Sequence, residues 1–294
     1  VIIRSLEPAA ASSSYKRGLL ARLYSIVGDE QAELAALERC LQYGADYWRL
    51  AKYWLHRGDR DRAMGVVMEG VKKGQGRKDE LYDFLQRDCE ERRDYDGLAR
   101  LLDCKLERER IWPDQLKNDS ILLSLKAHYQ ATNDRNGVLK LLETRLKWGA
   151  VDGDLYREAE ASLDKEDWVG FEKELMSHLT KEANSGKSMW SSEVSNAVTA
   201  LAEIHAYKGD LEQLFETVKG RRELLFKYED KLLPVYSAHC LHERYAAAEQ
   251  LIAARGRENY REAVEHLKHV KAIYTEVQND PAGWRDCIRG VCET

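Results

Sequence analysis

The chain has 294 residues, enough to bury a large core, with 33% charged and 44% hydrophobic residues, 4 prolines and a net charge of −5. That mixture favours helix, and the acidic balance argues against a broad nucleic-acid or anionic-membrane surface, leaving room only for a local basic patch. No uncharged apolar run approaches the roughly 20 residues that a membrane helix needs.

The start, VIIRSLEP, has no basic segment followed by an apolar one, so no signal peptide is expected. A first residue of Val rather than Met reads as the start of a fragment. The cysteines (Cys40, Cys89, Cys104, Cys240, Cys287 and Cys292) lack the close, regular spacing of a disulfide framework. Reduced thiols and a cytoplasmic location are the corresponding expectation.

Residues 1–14, with Pro8 and the run Ala9 to Ser14, read as a linker or a frayed start. From Tyr15 a helical-hairpin pattern recurs. Its hinge is a Gly or polar residue followed by Asp: Gly28-Asp29, Gly58-Asp59, Arg93-Asp94, Asn133-Asp134, Glu166-Asp167 and Gly209-Asp210. A glycine there takes the left-handed backbone that ends one helix, and the aspartate accepts from the free amides that open the next.

In the second hairpin Tyr47, Leu50, Ala51 and Trp54 form one helical face before the hinge, and Ala63, Val66, Val67, Gly70 and Val71 form one after it. Later second helices carry an apolar residue every four places: Leu98, Leu102 and Leu106, then Val138, Leu142 and Leu146, then Phe171, Leu175 and Leu179, then Leu214 and Val218. A seventh hairpin is predicted over Leu232 to Arg255, turning near His242 to Arg244. A longer helix follows to Val277, and a last one is capped by Asp280 and opened by Pro281. Irregular joins are expected near 111–118, 148–154 and 184–189. No alternating strand is predicted.

The fold expected from this pattern is all-α, a single domain over 15–294 built as a right-handed α-α superhelix of about seven hairpins. The spacing Tyr47, Leu50, Ala51, Trp54, Ala63, Val67, Gly70 resembles a tetratricopeptide repeat, with small residues at Ala51, Ala63 and Gly70 where the helices cross. Gln75 stands where the repeat-closing proline would be. Residues 46–85 and 258–277 are similar to the helical C-terminal region of bacterial SWIM zinc-finger proteins. That resemblance implies a helical region without its finger. The family's C-x-C…C-x-H zinc site does not carry over, because the chain has no C-x-C.

Chemical motifs are sparse. His239, Cys240 and His242, with His266 and His269, form the densest set of metal-ligand types, but their spacing matches no four-ligand set. The expectation is that Cys240 and His269 pack inside while the others meet solvent. Ser185-Gly186-Lys187-Ser188 lacks both the opening glycine and the preceding strand of a phosphate loop. Asp152-Gly153-Asp154 reads as a turn, and Lys72, Lys73, Arg77 and Lys78 as a solvated loop beside Asp79 and Glu80. No G-x-S-x-G or H-E-x-x-H occurs, and no cofactor or metal is expected.

What remains is a surface. In stacked hairpins the first helix of each lines the inner curve, and its residues off the packing seam face a guest. That logic selects Arg22, Trp48, Lys52, His56, Arg87, Glu203 and Tyr207 as a binding groove. Trp48 can anchor a peptide there or pack on the neighbouring hairpin. The leading functional expectation is a non-enzymatic protein–protein interaction scaffold holding a peptide or partner helix, with no membrane and an unassigned oligomeric state. The alternatives are a nucleic-acid-associated module, motivated by the SWIM resemblance, and an enzyme on a helical scaffold.

Overall fold

The computed structural model describes Ile3 and residues 13–39, 41–185 and 196–293. Among them the chain is all-helical, without strands, and one isolated parallel bridge joins Tyr43 to Gln75. Close contacts divide it into two compact units, Val1–Asp134 and Arg135–Thr294. Most of the predicted 1–14 linker, residues 186–189 of the join predicted at 184–189, with Gly186-Lys187-Ser188 among them, and Cys40 lie outside the described residues.

The first unit contains α1 (Ser14–Val27), α2 (Glu30–Glu38), α3 (Gly44–His56), α4 (Arg60–Lys73), α5 (Asp79–Arg92), α6 (Tyr95–Arg108), α7 (Pro113–Lys117) and α8 (Ser120–Thr132). Its hinges share one local structure. Gly28, Gly58, Arg93 and Asn133 all have positive φ, between 57° and 78°. The amides of the aspartates that follow reach back to Tyr24, Trp54, Cys89 and Tyr129 carbonyls at 2.8–3.0 Å, closing the outgoing helix. The carboxylates of Asp29, Asp59 and Asp94 then accept from the amides of Ala32, Arg62 and Gly97 at 3.0, 3.0 and 2.7 Å, opening the next. Two residues therefore terminate one helix and start another.

The predicted seam is buried: Tyr47, Leu50, Ala51, Ala63, Val67, Gly70 and Val71 on α3 and α4, and Leu98, Leu102 and Leu106 on α6. A Cβ added at Gly70 would sit 2.6 Å from the Tyr47 Cβ, so glycine there is what lets α4 approach α3. Trp54 and Val66 are only half-buried, whereas Tyr53 is buried. At the open end of this hairpin the Gly44 amide donates to the Gln75 carbonyl and the Gln75 amide to the Gln42 carbonyl, so the position lacking proline closes the unit through its backbone. The predicted join at 111–118 contains the short helix α7, started by Pro113.

The second unit contains α9 (Arg135–Lys147), α10 (Gly153–Ser162), α11 (Lys165–Asn184), α12 (Asn196–Lys208), α13 (Leu211–Val218), α14 (Arg222–Lys227), α15 (Glu229–Ala254), α16 (Arg257–Ala272), a π-helical turn (Ile273–Val277) and α17 (Pro281–Glu293). The stripes predicted on α9, α11 and α13 are buried. Gly209-Asp210 repeats the hinge geometry, and Asp280 accepts from the Gly283 amide.

Two predicted boundaries are corrected. The hinge assigned to Glu166-Asp167 lies at Leu163-Asp164, because Asp164 accepts from the Glu166 and Asp167 amides and Asp167 is already inside α11. The turn predicted near His242 to Arg244 lies at Tyr236, whose φ of −117° and ψ of 28° break α15. Pro234 is the cause: it has no amide to give, and its ring conflicts with the preceding helical turn. Glu229 and Arg244 would be about 22 Å apart along a straight helix. Their side chains meet at 2.8 Å, so the chain doubles back at this break.

Candidate functional site

In the first unit the first helices of successive hairpins lie edge to edge. Arg17 of α1 approaches Asp46 of α3 at 3.5 Å, and Gly18 leaves the space taken by the Arg49 guanidinium. Trp48 of α3 packs its ring 6.0 Å from Phe84 of α5. Ser120 and Ser124 of α8 donate to Gln86 and Glu90 of α5.

Five of the residues predicted for the groove lie on α1, α3 and α5. Arg22, Lys52, His56 and Arg87 are exposed, and Trp48 is half-buried. The Lys52 ammonium lies 5.8 Å from the Trp48 ring, within cation–π range. Arg87 donates from Nε to the Asp83 carbonyl, one turn back on its own helix. Trp48 therefore meets the neighbouring hairpin and keeps part of its ring in solvent beside a cation.

The other two predicted residues lie in the second unit. Glu203 of α12 accepts from the Gly153 amide at 3.2 Å through one oxygen and from Lys227 at 3.3 Å through the other. Its carboxylate thereby ties α12 to the start of α10 and to α14. A Cβ at Gly153 would lie 2.8 Å from the Glu203 Cβ, so this approach needs the glycine. Tyr207, half-exposed, donates to Glu160 at 2.8 Å and packs edge-on against Tyr156. The hydrogen bond to Glu160 pushes the Tyr207 phenol up. Behind it, Tyr156, which is buried, and Lys208, which is exposed, both donate to Glu172 at 2.8 Å, and the Lys208 bond pulls the Glu172 carboxyl down.

The predicted ligand-type residues form no metal cluster among the described residues. Cys240 is fully buried, and burial pushes its thiol up to about 11. His269 is exposed, which corrects its expected inward placement, and its Nδ1 lies 3.3 Å from Glu229. His266 is half-buried and accepts from the Arg244 guanidinium at 3.1 Å. Sequence reasoning missed the centre of this cluster. Glu229, 3% exposed, takes the Arg244 fork through both oxygens, and the guanidinium stacks 3.8 Å from the Phe226 ring. A glutamate and an arginine 15 positions apart give no local signal.

Burial, and next the Arg244 charge, hold the His266 imidazole below its ordinary 6.5; Glu262 and Glu229 oppose them, and His269 adds to them. With the folded pKa below the unfolded one, the unfolded chain takes up the proton first. The His266 contribution is complete above pH 6.5 and is lost as the pH falls through that value towards the folded pKa. Urea unfolding at about pH 7.5 and about pH 5.5 checks this: wild-type stability minus that of His266→Gln should fall at the lower pH. A difference that holds or grows would remove the assignment.

A second cluster is more deeply buried than its charged sequence suggests. Lys78, expected in a solvated loop, is 9% exposed and donates to Glu109 at 2.8 Å and to the Val71 carbonyl at 3.2 Å. Tyr82 donates to the same Glu109 oxygen at 3.2 Å. They border a cleft of about 360 Å³ that is also lined by Lys105 and Asp119, which are paired with each other. Each buried charge here has its counter-charge, which is how charged groups are accommodated inside a protein.

No helix among the described residues is long and apolar enough to cross a membrane. No protein-family model and no curated protein matches the chain.

Proposed function

We propose that the chain is a non-enzymatic interaction scaffold whose hairpins stack within each unit in tetratricopeptide-like fashion and whose first-helix face in the first unit takes a peptide or partner helix. The observation that carries this reading is the half-exposed Trp48–Phe84 aromatic seam, with Lys52 over the Trp48 ring, on helices packed edge to edge. A rigid aromatic beside a cation on a fixed helical surface is the composition of a peptide anchor. The helices supply the rigidity, because small residues at their crossings hold them close.

The test is selection of binders from a displayed library of random peptides, followed by affinity measurement against wild type and Trp48→Ala. Trp48 is half-buried, so the variant's helical content and melting are recorded alongside. Removing a central aromatic anchor should weaken the selected peptides about tenfold or more, equivalent to at least about 1.4 kcal/mol. A library that yields no binder, or binders that do not distinguish the two proteins, would overturn the reading.

A further inference from the structure

The first helices of the first two hairpins, α1 and α3, are charged unlike the chain that carries them. α1 holds Lys16, Arg17 and Arg22 and no carboxylate. α3 holds Arg49 and Lys52, with His56 at its end, and one carboxylate, Asp46. That carboxylate is spent internally. It is 5% exposed, lies 3.0 Å from Arg49 and 3.5 Å from Arg17, and accepts the Tyr43 amide at 3.0 Å. Arg22, Lys52 and His56 then face solvent on helices with no exposed acid.

The second helix of the first hairpin carries the acids: Glu30, Glu33 and Glu38 on α2, with no cation, whereas on α4 Asp61 and Glu69 stand among Arg60, Arg62, Lys72 and Lys73. The sign separation is therefore a property of the first hairpin, and α3 continues its cationic side, in a chain whose net charge is −5. On α5 the balance turns acidic, with Asp79, Glu80, Asp83, Asp88, Glu90 and Glu91 against Arg87 and Arg92, so the positive zone ends at the Trp48–Phe84 seam.

Resting on the proposed scaffold role, we infer that the occupant of this face is an acidic peptide segment with one large apolar residue. Its carboxylates lie over α1 and α3, opposite Arg22 and Lys52, and its apolar side chain sits at the Trp48–Phe84 seam. Charge complementarity fixes the sign of the partner, and the seam fixes where its anchor goes. Exposed cations of this kind act mainly on encounter and on salt dependence, while the apolar contact made at the aromatic seam on binding sets the lifetime.

The net charge of the peptides selected by wild type is the first readout, and it should be negative. The second is the affinity of a selected acidic peptide for Arg22→Glu plus Lys52→Glu. It should fall about tenfold or more, and wild-type binding should weaken on going from about 50 mM to about 300 mM salt. A labelled oligothymidine is the competitor, and it should fail to displace the peptide.

Selected peptides of neutral or positive net charge that still depend on Trp48 would overturn this inference and leave the scaffold role standing. So would a charge-reversed protein that binds as wild type does, or displacement by the oligonucleotide. Failure to select any peptide removes both. Reversal at two exposed positions leaves the buried residues of α1 and α3 in place, and an unchanged melting temperature confirms that the variant is folded.

Discussion

Glu229→Ala is expected to lower the unfolding free energy by about 3–5 kcal/mol, the cost of leaving one member of a buried ion pair without its partner. Arg244 is 9% exposed, and three of its fork contacts, at 2.8, 3.0 and 3.2 Å, end on Glu229. Without that carboxylate the guanidinium keeps, among the described residues, the His266 nitrogen and the Phe226 face. The pair also bridges the two halves of α15 across the break at Tyr236. Chemical denaturation measures the loss. The double change Glu229→Leu with Arg244→Met is expected to recover most of it, because a buried pair replaced by apolar side chains of similar size is often neutral or stabilising. A single variant within about 0.5 kcal/mol of wild type would show that Arg244 finds solvent instead.

Tyr82→Ala is expected to cost about 3–5 kcal/mol, as for other large core aromatics. The ring is 1% exposed on α5, and the Lys105 ammonium lies 5.5 Å from its centroid. Burial, and next the Glu109 charge, push the phenol well above its ordinary value, so it stays a neutral donor to Glu109. Tyr82→Phe separates packing from hydrogen bonding. It keeps the ring and loses one bond, at about 1 kcal/mol, while Lys78 still satisfies Glu109. Comparing the two melting curves decides the point: equal losses would mean that the hydroxyl, and not the ring, holds this end of α5 in place.

The hairpins were legible because their signals are local. An aspartate after a left-handed residue closes one helix and opens the next within a few positions, and Asp29, Asp59, Asp94 and Asp210 all do so. The four-residue stripes on α6, α9, α11 and α13 are equally local, and all are buried. Where two acids share the start of a helix, as Asp164 and Asp167 do, the sequence does not say which is the cap; that depends on where the chain leaves its preceding contact. The break at Tyr236 was missed because the pattern sought a glycine or polar hinge, whereas Pro234 makes this one.

The candidate face divides in the same way. Helical phase placed Arg22, Lys52, His56 and Arg87 outside the seam, and they are exposed. It could not show that Glu203 spends both oxygens on Gly153 and Lys227, 50 and 24 positions away. Nor could it bury Lys78 against Glu109, or gather Glu229, Arg244 and His266. The sequence by itself determined the helices, most of their hinges and the small residues at their crossings, because each follows from neighbours within one or two turns. Only the tertiary structure decided which charges lie inside and what they meet, because a buried charge is tolerable only beside a partner that folding brings from far along the chain.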